Sequence, residues 1–279
     1  MTTKIEWTNE TWNIITGCSH ASEGCQNCYA EKMHKRLTAM GQAKYSKPFT
    51  EVVFHPEELE RVNSFKKGSF VFVNSMSDTF HPDVERSWIK DILIACAARR
   101  HEVHFQILTK RAERLSEFVY PSNVWLGVTV EKAKYLRRIE HLKYTDAKIK
   151  FLSCEPLLED LGELDLTGID WVICGGESGS KARPMHVEWV RNIQRQCQEQ
   201  RVPFFFKQWG EWKPEFDDEF KFCEMMNPKN EGKFMLSNGK LFRRVGKSKS
   251  GALLDGVEYK QFPNIFDKSK PFWIIQRED

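Results

Sequence analysis

Seven apolar segments alternate along this chain with five segments of helical character. This alternation constrains the fold most, because buried runs separated by helices are typical of a parallel sheet that helices cover. The predicted strands are 12–16, 69–74, 103–108, 123–130, 148–152, 170–174 and 202–206, and the predicted helices are 29–40, 85–100, 110–118, 131–144 and 187–200. The pattern predicts an α/β fold, an incomplete (β/α) barrel of six or seven parallel strands over residues 1–209.

Polar and charged residues follow the second to seventh predicted strands. They are Asn74-Ser75-Met76-Ser77-Asp78, Thr109-Lys110-Arg111, Thr129-Val130-Glu131, Ser153-Cys154-Glu155, Gly175-Gly176-Glu177-Ser178 and Lys207-Gln208-Trp209. The carboxyl ends of parallel strands meet at one edge of a sheet, where α/β enzymes keep their active sites. Any single residue could instead cap a helix or lie in a solvated turn. Six such groups in series are not explained by capping alone, and they predict a functional rim.

Three cysteines lie within eleven residues, just after the first predicted strand. Six residues separate Cys18 from Cys25, and two separate Cys25 from Cys28. Three thiolates can hold three irons of a [4Fe–4S] cluster and leave the fourth iron open, and no fourth cysteine lies near this loop in the sequence. A closed zinc site with His20 as the fourth ligand is the alternative. The clustering could also be accidental.

The composition changes from residue 210 onward, and residues 210–279 are predicted to form a C-terminal extension packed on the barrel. Residues 211–224 are predicted to be a loop over it. A basic stretch follows, with Glu231 as its one acid and seven cations: Lys229, Lys233, Lys240, Arg243, Arg244, Lys247 and Lys249. Asn238-Gly239 between two short apolar runs predicts a hairpin. Its charge could bind nucleic-acid phosphates or could protect a sheet edge from aggregation.

The overall composition is that of a globular protein, with 41% hydrophobic and 29% charged residues. The formal charge of +3 is too small to indicate a nucleic-acid partner by itself. No apolar run is long enough to span a bilayer and no signal peptide is evident, so we expect a cytoplasmic protein with no membrane partner. Cytoplasmic thiols stay reduced, so the eight cysteines are predicted to bind metal or to pack in the core.

Three clustered cysteines at the first β/α loop of a partial barrel resemble the radical S-adenosylmethionine (SAM) superfamily. The resemblance implies that Cys18, Cys25 and Cys28 bind a [4Fe–4S] cluster whose free iron chelates SAM. It also implies that the reduced cluster cleaves SAM to a radical that abstracts a hydrogen atom from a substrate. The sequence departs from the usual pattern in three ways. Its first cysteine spacing is six instead of three, Asn27 replaces the usual aromatic residue, and its Gly-Gly-Glu segment follows about the sixth strand instead of the second.

A closer resemblance, nearly end to end, is to phage-associated proteins of unassigned function described as three-Cys-motif proteins. The segments that carry it are 7–8, 11–13, the cysteine loop through 28–30, 74–78, 108–111, 153–157, 175–179, 183–186, 204–210, 244–247 and 253–256. This resemblance implies kinship with phage proteins. It implies no reaction, because that family has none assigned.

The superfamily resemblance also implies roles for residues on the predicted rim. The candidate cofactor-binding residues are Ser75, Ser77, Asp78, Lys110, Thr129, Glu131, Gly175 and Gly176. One of the first three would receive the SAM amino group, and Thr129 with Glu131 would bind the ribose hydroxyls. Lys110 and Arg111 would neutralise the SAM carboxylate or a substrate phosphate, or would be solvated. The candidate catalytic residues are Cys154, Glu155, Glu177 and Lys207. Cys154 would be a hydrogen-atom donor, although a small buried thiol is the commoner case.

These observations predict a radical SAM-like enzyme that acts on nucleic acid, DNA or RNA, in the repair or modification of a base. A partner protein encoded nearby could supply the specificity. The alternative is a non-enzymatic, zinc- or cluster-stabilised nucleic-acid-binding phage protein. A metal-dependent nuclease with Asp78, Glu155 and Glu177 as ligands is a third possibility, but it leaves the cysteine loop without a purpose.

Overall fold

Seven strands, arranged in the sheet in the order of the chain, form the central sheet of the protein. The computed structural model describes residues 3, 5–215 and 228–264, together with the backbone of Phe272–Ile274. The strands are β1 (Glu10–Trp12), β2 (Phe70–Val73), β3 (His104–Thr109), β4 (Val124–Thr129), β5 (Ile149–Cys154), β6 (Trp171–Gly175) and β7 (Phe204–Gln208). The pairs β1/β2, β2/β3, β3/β4 and β6/β7 are parallel. The predicted fold class, an α/β incomplete barrel of six or seven parallel strands, is confirmed.

Four α-helices follow strands of this sheet or the first loop. They are α1 (Tyr29–Ala39), α2 (Arg86–Ala98), α3 (Arg137–Lys143) and α4 (Val187–Glu199). In the described part of the chain there are also six 3₁₀ segments: Glu23–Cys25, Ala43–Tyr45, Pro56–Ser64, Ala112–Glu117, Ala133–Tyr135 and Pro228–Asn230. The buried residues of α4 recur at helical spacing, so one face of the helix packs against its surroundings and the other faces solvent.

Two predicted helices are shorter than the sequence suggested. Within the segment predicted as a helix over 110–118, the structure has a 3₁₀ helix at Ala112–Glu117, and before it the backbone nitrogen of Lys110 donates to Asp78 and that of Arg111 to the hydroxyl of Thr109. The segment predicted over 131–144 becomes α-helical only from residue 137. There the carbonyl of Glu131 accepts from Leu158, so it is not free for an intrahelical bond.

The remaining strands form small antiparallel sheets. The two-stranded sheets pair Ile15–Thr16 with Val53–Phe54, Leu253–Leu254 with Val257–Glu258, and Gln261–Pro263 with Phe272–Ile274. A three-stranded sheet has the order Trp212–Pro214, Lys240–Arg244, Phe234–Ser237. The predicted hairpin is confirmed, with φ of 46° at Asn238 and 72° at Gly239, as a tight hairpin turn requires. Residues 216–224 of the predicted loop lie outside the described residues.

The chain forms two compact units. The first comprises residues 1–129 and 137–152. Its core contains Trp12 packed edge-on against Phe65 and tilted against Phe105. A Cβ atom at Gly127 would lie 2.4 Å from the ring of Phe151, so glycine at this position lets the ring lie directly on β4. Aromatic packing therefore holds β1, β3 and β4 in place. The cysteine loop follows the first of these strands, and rim segments follow the other two.

The second unit comprises residues 130–136 and 153–279. Its core contains Trp171, Phe205 and Phe262 in mutual ring contact. The indole nitrogen of Trp171 donates to the carbonyl of Gln261, which ties β6 to a strand of the C-terminal part. The predicted domain boundary at residue 210 stays a prediction. In the described part of the chain, no helix has both the length and the apolar character needed to cross a bilayer.

Candidate functional site

The cysteine loop, residues 18–28, is held by its own backbone bonds and by a glycine at its entrance. Gly17 has φ of 85°, and a Cβ atom there would lie 2.0 Å from the carbonyl oxygen of Glu51. The nitrogen of Cys18 donates to the carbonyl of Phe49 at 2.7 Å, and that of Cys28 donates to the carbonyl of Cys25 at 3.1 Å. Helix α1 begins directly after Cys28. The loop therefore has a defined conformation between two fixed ends.

The three loop cysteines are free thiols, and each is partly exposed. Burial, together with the nearby carboxylate of Asp78, raises the pKa of Cys18 to about 12. The sulfur of Cys25 accepts a long hydrogen bond, 3.5 Å, from the nitrogen of Ala21. His20 lies 3.3 Å from a carboxylate oxygen of Glu31. Within the described residues, no three His, Cys, Asp or Glu side chains converge as ligands of a single ion.

Three free thiols on one loop are the kind of donor set that an iron–sulfur cluster with one open iron takes, although in the described residues their sulfurs do not converge on a single point. A closed structural zinc site takes four protein ligands, and the pairing of His20 Nε2 with Glu31 leaves Nδ1 available as a ligand, so the zinc alternative with His20 as the fourth ligand stays a prediction. Cys18, Cys25 and Cys28 would hold such a cluster.

Asp78 is a buried carboxylate with four hydrogen-bond donors. Its oxygens accept from the nitrogen of Phe80 at 3.0 Å, the hydroxyl of Thr109 at 2.6 Å and the nitrogen of Lys110 at 3.1 Å. The fourth donor is Arg111, whose Nη1 lies 3.1 Å from Oδ2. Asp78 thus joins the segment that follows β2 to the segment that follows β3. Its predicted contact with the SAM amino group stays a prediction.

Arg111 connects this carboxylate to the cysteine loop. The nitrogen Nη1 that donates to Asp78 also lies 3.7 Å from Sγ of Cys18. The other terminal nitrogen, Nη2, donates to the carbonyl oxygen of Ser19 at 2.7 Å and to its hydroxyl oxygen at 3.0 Å. The guanidinium is largely buried, with its side chain 12% exposed. One arginine therefore contacts two consecutive loop residues and their anchoring carboxylate.

His81 fixes the hydroxyl of Ser19 from another direction. Its Nε2 lies 2.7 Å from Oγ of Ser19, and its Nδ1 accepts from the backbone nitrogen of Asp83 at 3.1 Å. Because Nδ1 accepts, the proton of the neutral ring is on Nε2 and is donated to Ser19. Burial lowers the pKa of His81, which favours this neutral form. Sequence reasoning did not single out His81, since nothing in its local pattern links it to residue 19.

The other candidates of the first unit lie near the entrance of the loop or at strand ends. The hydroxyl of Ser77 donates to the carbonyl of Ile15 at 2.8 Å, and that of Ser75 to the side chain of Asn13 at 3.1 Å. Tyr29, which follows the last loop cysteine, donates to the carbonyl of Ser75 while remaining 56% exposed. Lys110 is partly exposed and Thr129 is buried at the end of β4. Their predicted contacts with SAM stay predictions.

In the second unit, Glu155 and Lys207 form an ion pair. Their carboxylate oxygen and ammonium nitrogen are 3.0 Å apart, and the side chains are 14% and 16% exposed. A Cβ atom at Gly175 would lie 2.5 Å from the same carboxylate oxygen, so a side chain there would displace the end of Glu155 from its present position. Two predicted catalytic residues and one predicted cofactor-binding residue are therefore brought together.

Glu177 is bound by the guanidinium of Arg183. The two carboxylate oxygens accept from Nη2 at 2.6 Å and Nε at 2.8 Å, and the nitrogen of Arg183 donates to Glu177 as well. A Cβ atom at Gly176 would lie 2.0 Å from the carbonyl oxygen of Trp209, so this glycine permits close backbone packing. This ion pair gives Glu177 a structural role, and its predicted catalytic role stays a prediction.

Glu131 and Cys154 are fully buried in the second unit. Burial raises the pKa of Cys154, and it does the same for Cys174 and Cys197, which lie close enough to interact electrostatically with it. These thiols are therefore protonated at neutral pH. A protonated Cys154 is compatible with the predicted hydrogen-atom donor and also with an ordinary core thiol.

The basic hairpin carries less free charge than its sequence suggests. Arg243 pairs with Glu215 at 2.7 Å, and Arg244 pairs with Glu211 at 3.1 Å and lies over the ring of Trp212. The sequence prediction counted neither acid, because both precede the basic stretch. The exposed lysines of the stretch, Lys240 and Lys249 among them, carry the remaining positive surface.

Comparisons with known proteins give a family and a distant likeness. A family described as "Protein of unknown function (DUF5131)" matches residues 2–263. No curated protein matches the chain. Among solved structures, a spore photoproduct lyase mutant is 11% identical with a TM-score of 0.44, covering 88% of this chain and 71% of that one. Spore photoproduct lyase complexed with dinucleoside spore photoproduct is 10% identical with a TM-score of 0.34, covering 83% and 67%.

Proposed function

This chain belongs to the family of unknown function DUF5131, and we propose that it is a radical SAM-type enzyme that acts on nucleic acid. The observation that carries the proposal is the set of three free, partly exposed thiols on one loop that follows the first strand of a parallel half-barrel sheet. A cluster bound by three thiolates, when reduced, supplies the electron that cleaves SAM to the hydrogen-abstracting radical.

The residues around the loop would prepare it for this cofactor. Cys18, Cys25 and Cys28 would provide the three thiolates, and Arg111 would offset the negative charge that collects there. Lys110 follows β3 next to Arg111, and a cation at this position would bind the carboxylate of SAM. Ser75, Ser77 or Asp78 would receive its amino group, and Thr129 with Glu131 would bind the ribose hydroxyls.

The candidate catalytic residues belong to the second unit. Glu155 and Lys207 together are electrically neutral, so the pair can lie in a partly buried place without the cost of an isolated charge. Such a pair can hold or transfer a proton at the carboxylate. The Cys154 thiol would give its hydrogen atom to a substrate radical, so that a C–H bond forms, the S–H bond breaks and a thiyl radical is left on Cys154. Glu177 is proposed as a further residue of this group.

Positive side chains near the cysteine loop support nucleic acid as the substrate. Helix α1, which begins at the exposed Tyr29, presents Lys32 and Arg36 to solvent one turn apart. Cations at this spacing can bind neighbouring phosphates, and an exposed aromatic ring can stack on an unpaired base. A base within a duplex would have to be flipped out to reach an active-site pocket. The phage association and the partner protein stay predictions.

An anaerobic reconstitution tests the cofactor. The full-length protein is loaded with iron and sulfide and reduced, and its EPR spectrum is recorded with and without SAM. We expect a [4Fe–4S] signal that changes with SAM and is absent when Cys18, Cys25 and Cys28 are all replaced by Ala. A Cys96→Ala variant, which removes a core thiol, is the matched control and should keep the signal.

Zinc analysis of the same preparation distinguishes the alternative. Stoichiometric zinc, no cluster after reconstitution and no response to SAM would overturn the radical SAM assignment. The chain would then be a zinc-stabilised, non-enzymatic nucleic-acid-binding protein.

A further inference from the structure

We propose that Arg111 is a positioning residue that fixes the first two residues of the cysteine loop and raises the reduction potential of a cluster bound there. The first part of this inference concerns the protein's own conformation. The second part rests on the proposed function. The experiment below therefore has one readout without a cluster and one with it.

The geometry of Arg111 leaves little freedom to its guanidinium. Nη1 directs its two hydrogens toward Asp78 and Cys18, and Nη2 directs its two toward the carbonyl and the hydroxyl of Ser19. All four terminal hydrogens are therefore engaged in a planar fork. A lysine could supply the charge but could not reproduce this set of directions.

Asp78 determines where the fork lies. Its carboxylate is itself held by the hydroxyl of Thr109 and the nitrogen of Lys110, both in the segment that follows β3. The segment after β3 thus holds Asp78, Asp78 holds Arg111, and Arg111 in turn holds the cysteine loop. Because the two charges neutralise one another, the guanidinium can be buried beside a thiol without remaining an isolated cation.

Ser19 shows the consequence for the loop. Its hydroxyl oxygen accepts from both Arg111 and His81, so both of its lone pairs are used. The hydroxyl proton must then point away from both donors. Arg111 and His81 together therefore fix the backbone and the hydroxyl of the residue next to Cys18, which a single hydrogen bond would not do.

The same contact acts on the sulfur of Cys18. A hydrogen bond to a ligand thiolate and a positive charge beside it both stabilise the more negative, reduced state of an iron–sulfur cluster. Arg111 thus brings a charged side chain into contact with one of the loop sulfurs. Removing it should therefore lower the reduction potential of the bound cluster.

The first readout is hydrogen exchange at the amides of residues 18–28 in the metal-free, full-length protein. Arg111→Gln should raise exchange in this peptide about tenfold, as expected for the loss of charge-assisted hydrogen bonds. Arg99→Gln is the matched control, because Arg99 is also a largely buried arginine that donates to two backbone carbonyls, but it contacts no loop residue. Exchange that stays at the wild-type rate in Arg111→Gln would overturn the proposal.

The second readout is a redox titration of the reconstituted protein followed by EPR. Arg111→Gln should have a lower midpoint potential than the wild type, and Arg111→Lys should lie between them because it keeps the charge. An unchanged potential in a fully loaded Arg111→Gln protein would overturn the second part. If the wild type takes up no cluster, the proposed function fails, while hydrogen exchange still decides the positioning role.

A double variant distinguishes loss of loop positioning from unfolding of the whole protein. Arg111→Gln leaves the buried carboxylate of Asp78 without its cation, so the single variant could unfold for that reason alone. Asp78→Asn combined with Arg111→Gln removes this charge, and it should restore the thermal transition while the loop amides still exchange fast. Wild-type exchange in the folded double variant would show that Arg111 does not position the loop.

Discussion

The side-chain oxygen of Asn74 lies 2.9 Å from the backbone nitrogen of Ile15, and this bond joins the end of β2 to the segment that enters the cysteine loop. The same oxygen accepts from the nitrogen of Ile14 at 2.9 Å, and the side-chain nitrogen donates to Thr79. Asn74 is buried and has φ of 54°, a conformation that asparagine tolerates better than most residues. The sequence placed Asn74 in the polar segment after the second predicted strand but predicted no role for it.

Asn74→Ala should destabilise the protein by about 2–4 kcal/mol. It leaves two buried backbone donors without their acceptor and places a less suitable residue in a left-handed conformation. Asn74→Asp keeps the acceptor oxygen for both backbone nitrogens, whose hydrogen bonds offset the cost of burying its carboxylate, and it loses the donor to Thr79, so it should cost less. Urea denaturation measures both. Equal losses in the two variants would show that the bonds to residues 14 and 15 are not the important ones.

Gly176→Ala should destabilise the protein by about 2–4 kcal/mol through steric overlap. The new Cβ atom would lie 2.0 Å from a backbone carbonyl oxygen, which cannot rotate away as a side chain would. Gly162→Ala is the control, because nothing lies within 4 Å of its Cβ position and only its φ of 70° opposes alanine. We expect the control to cost about 1 kcal/mol. A similar loss at both positions would contradict the close packing at Gly176.

The stability of the protein should fall on acidification below about pH 6.5, partly through His104. Burial lowers the pKa of this imidazole from 6.5, so below that pH the unfolded chain binds more protons than the folded one. The stability that His104 contributes is therefore fully present above the pKa of the unfolded state, and it is lost as the pH falls toward the pKa of the folded state. Burial lowers the pKa of His55, His81 and His186 in the same direction.

His104→Phe tests this contribution. The ring stacks on Phe70 with centroids 5.1 Å apart, and within the described residues its Nδ1 has no hydrogen-bond partner. The variant should therefore be at least as stable as the wild type at pH 7.5, and its urea midpoint should change less between pH 7.5 and pH 5.5. An unchanged pH dependence would mean that His104 is not charged on unfolding in this range.

Lys32→Gln together with Arg36→Gln should weaken binding of single-stranded nucleic acid in a salt-dependent way. If both cations contact phosphates, the slope of log K against log salt concentration should fall by about 1.4, which is 0.7 for each contact. Fluorescence anisotropy over a range of salt concentrations measures the slope. Lys66→Gln with Lys67→Gln removes the same charge from another exposed place in the first unit. Equal effects of the two pairs would indicate a general charge effect instead of an interface on α1.

The central sheet could be predicted from sequence because its signal is local. Strands β2 to β7 are continuous apolar runs, and each was predicted to within a few residues of its observed bounds. The first strand was less well placed, at 12–16 instead of Glu10–Trp12. The chain leaves the sheet after Trp12, because the nitrogens of Ile14 and Ile15 are bound by a side chain 59 or more residues away. The local sequence pattern gives no indication of this long-range contact, so the end of the first strand could not be predicted from it.

The membership of the candidate site stays a prediction, and the contacts among its residues could not be read from the sequence. Asp78, Arg111, Glu155 and Lys207 were all chosen because they follow strands, yet their pairing as Asp78–Arg111 and Glu155–Lys207 depends on which side chains the folded chain brings into reach. Charge counting in the hairpin failed for a related reason, since Arg243 and Arg244 pair with acids outside the counted stretch. Long-range pairing is set by tertiary packing, which a single sequence does not display.

The described cysteines fall into an exposed and a buried class, and this difference can report on the oxidation of the cysteine loop. Four cysteines are buried in the interior as protonated thiols: Cys96, Cys154, Cys174 and Cys197. The three loop cysteines are partly exposed to solvent: Cys18, Cys25 and Cys28. In air, oxidative damage should fall first on the loop and spare these four interior sulfurs. Site-resolved thiol labelling of the native protein, followed by mass spectrometry, would therefore reveal how much of a preparation still has an intact loop before any spectroscopy begins.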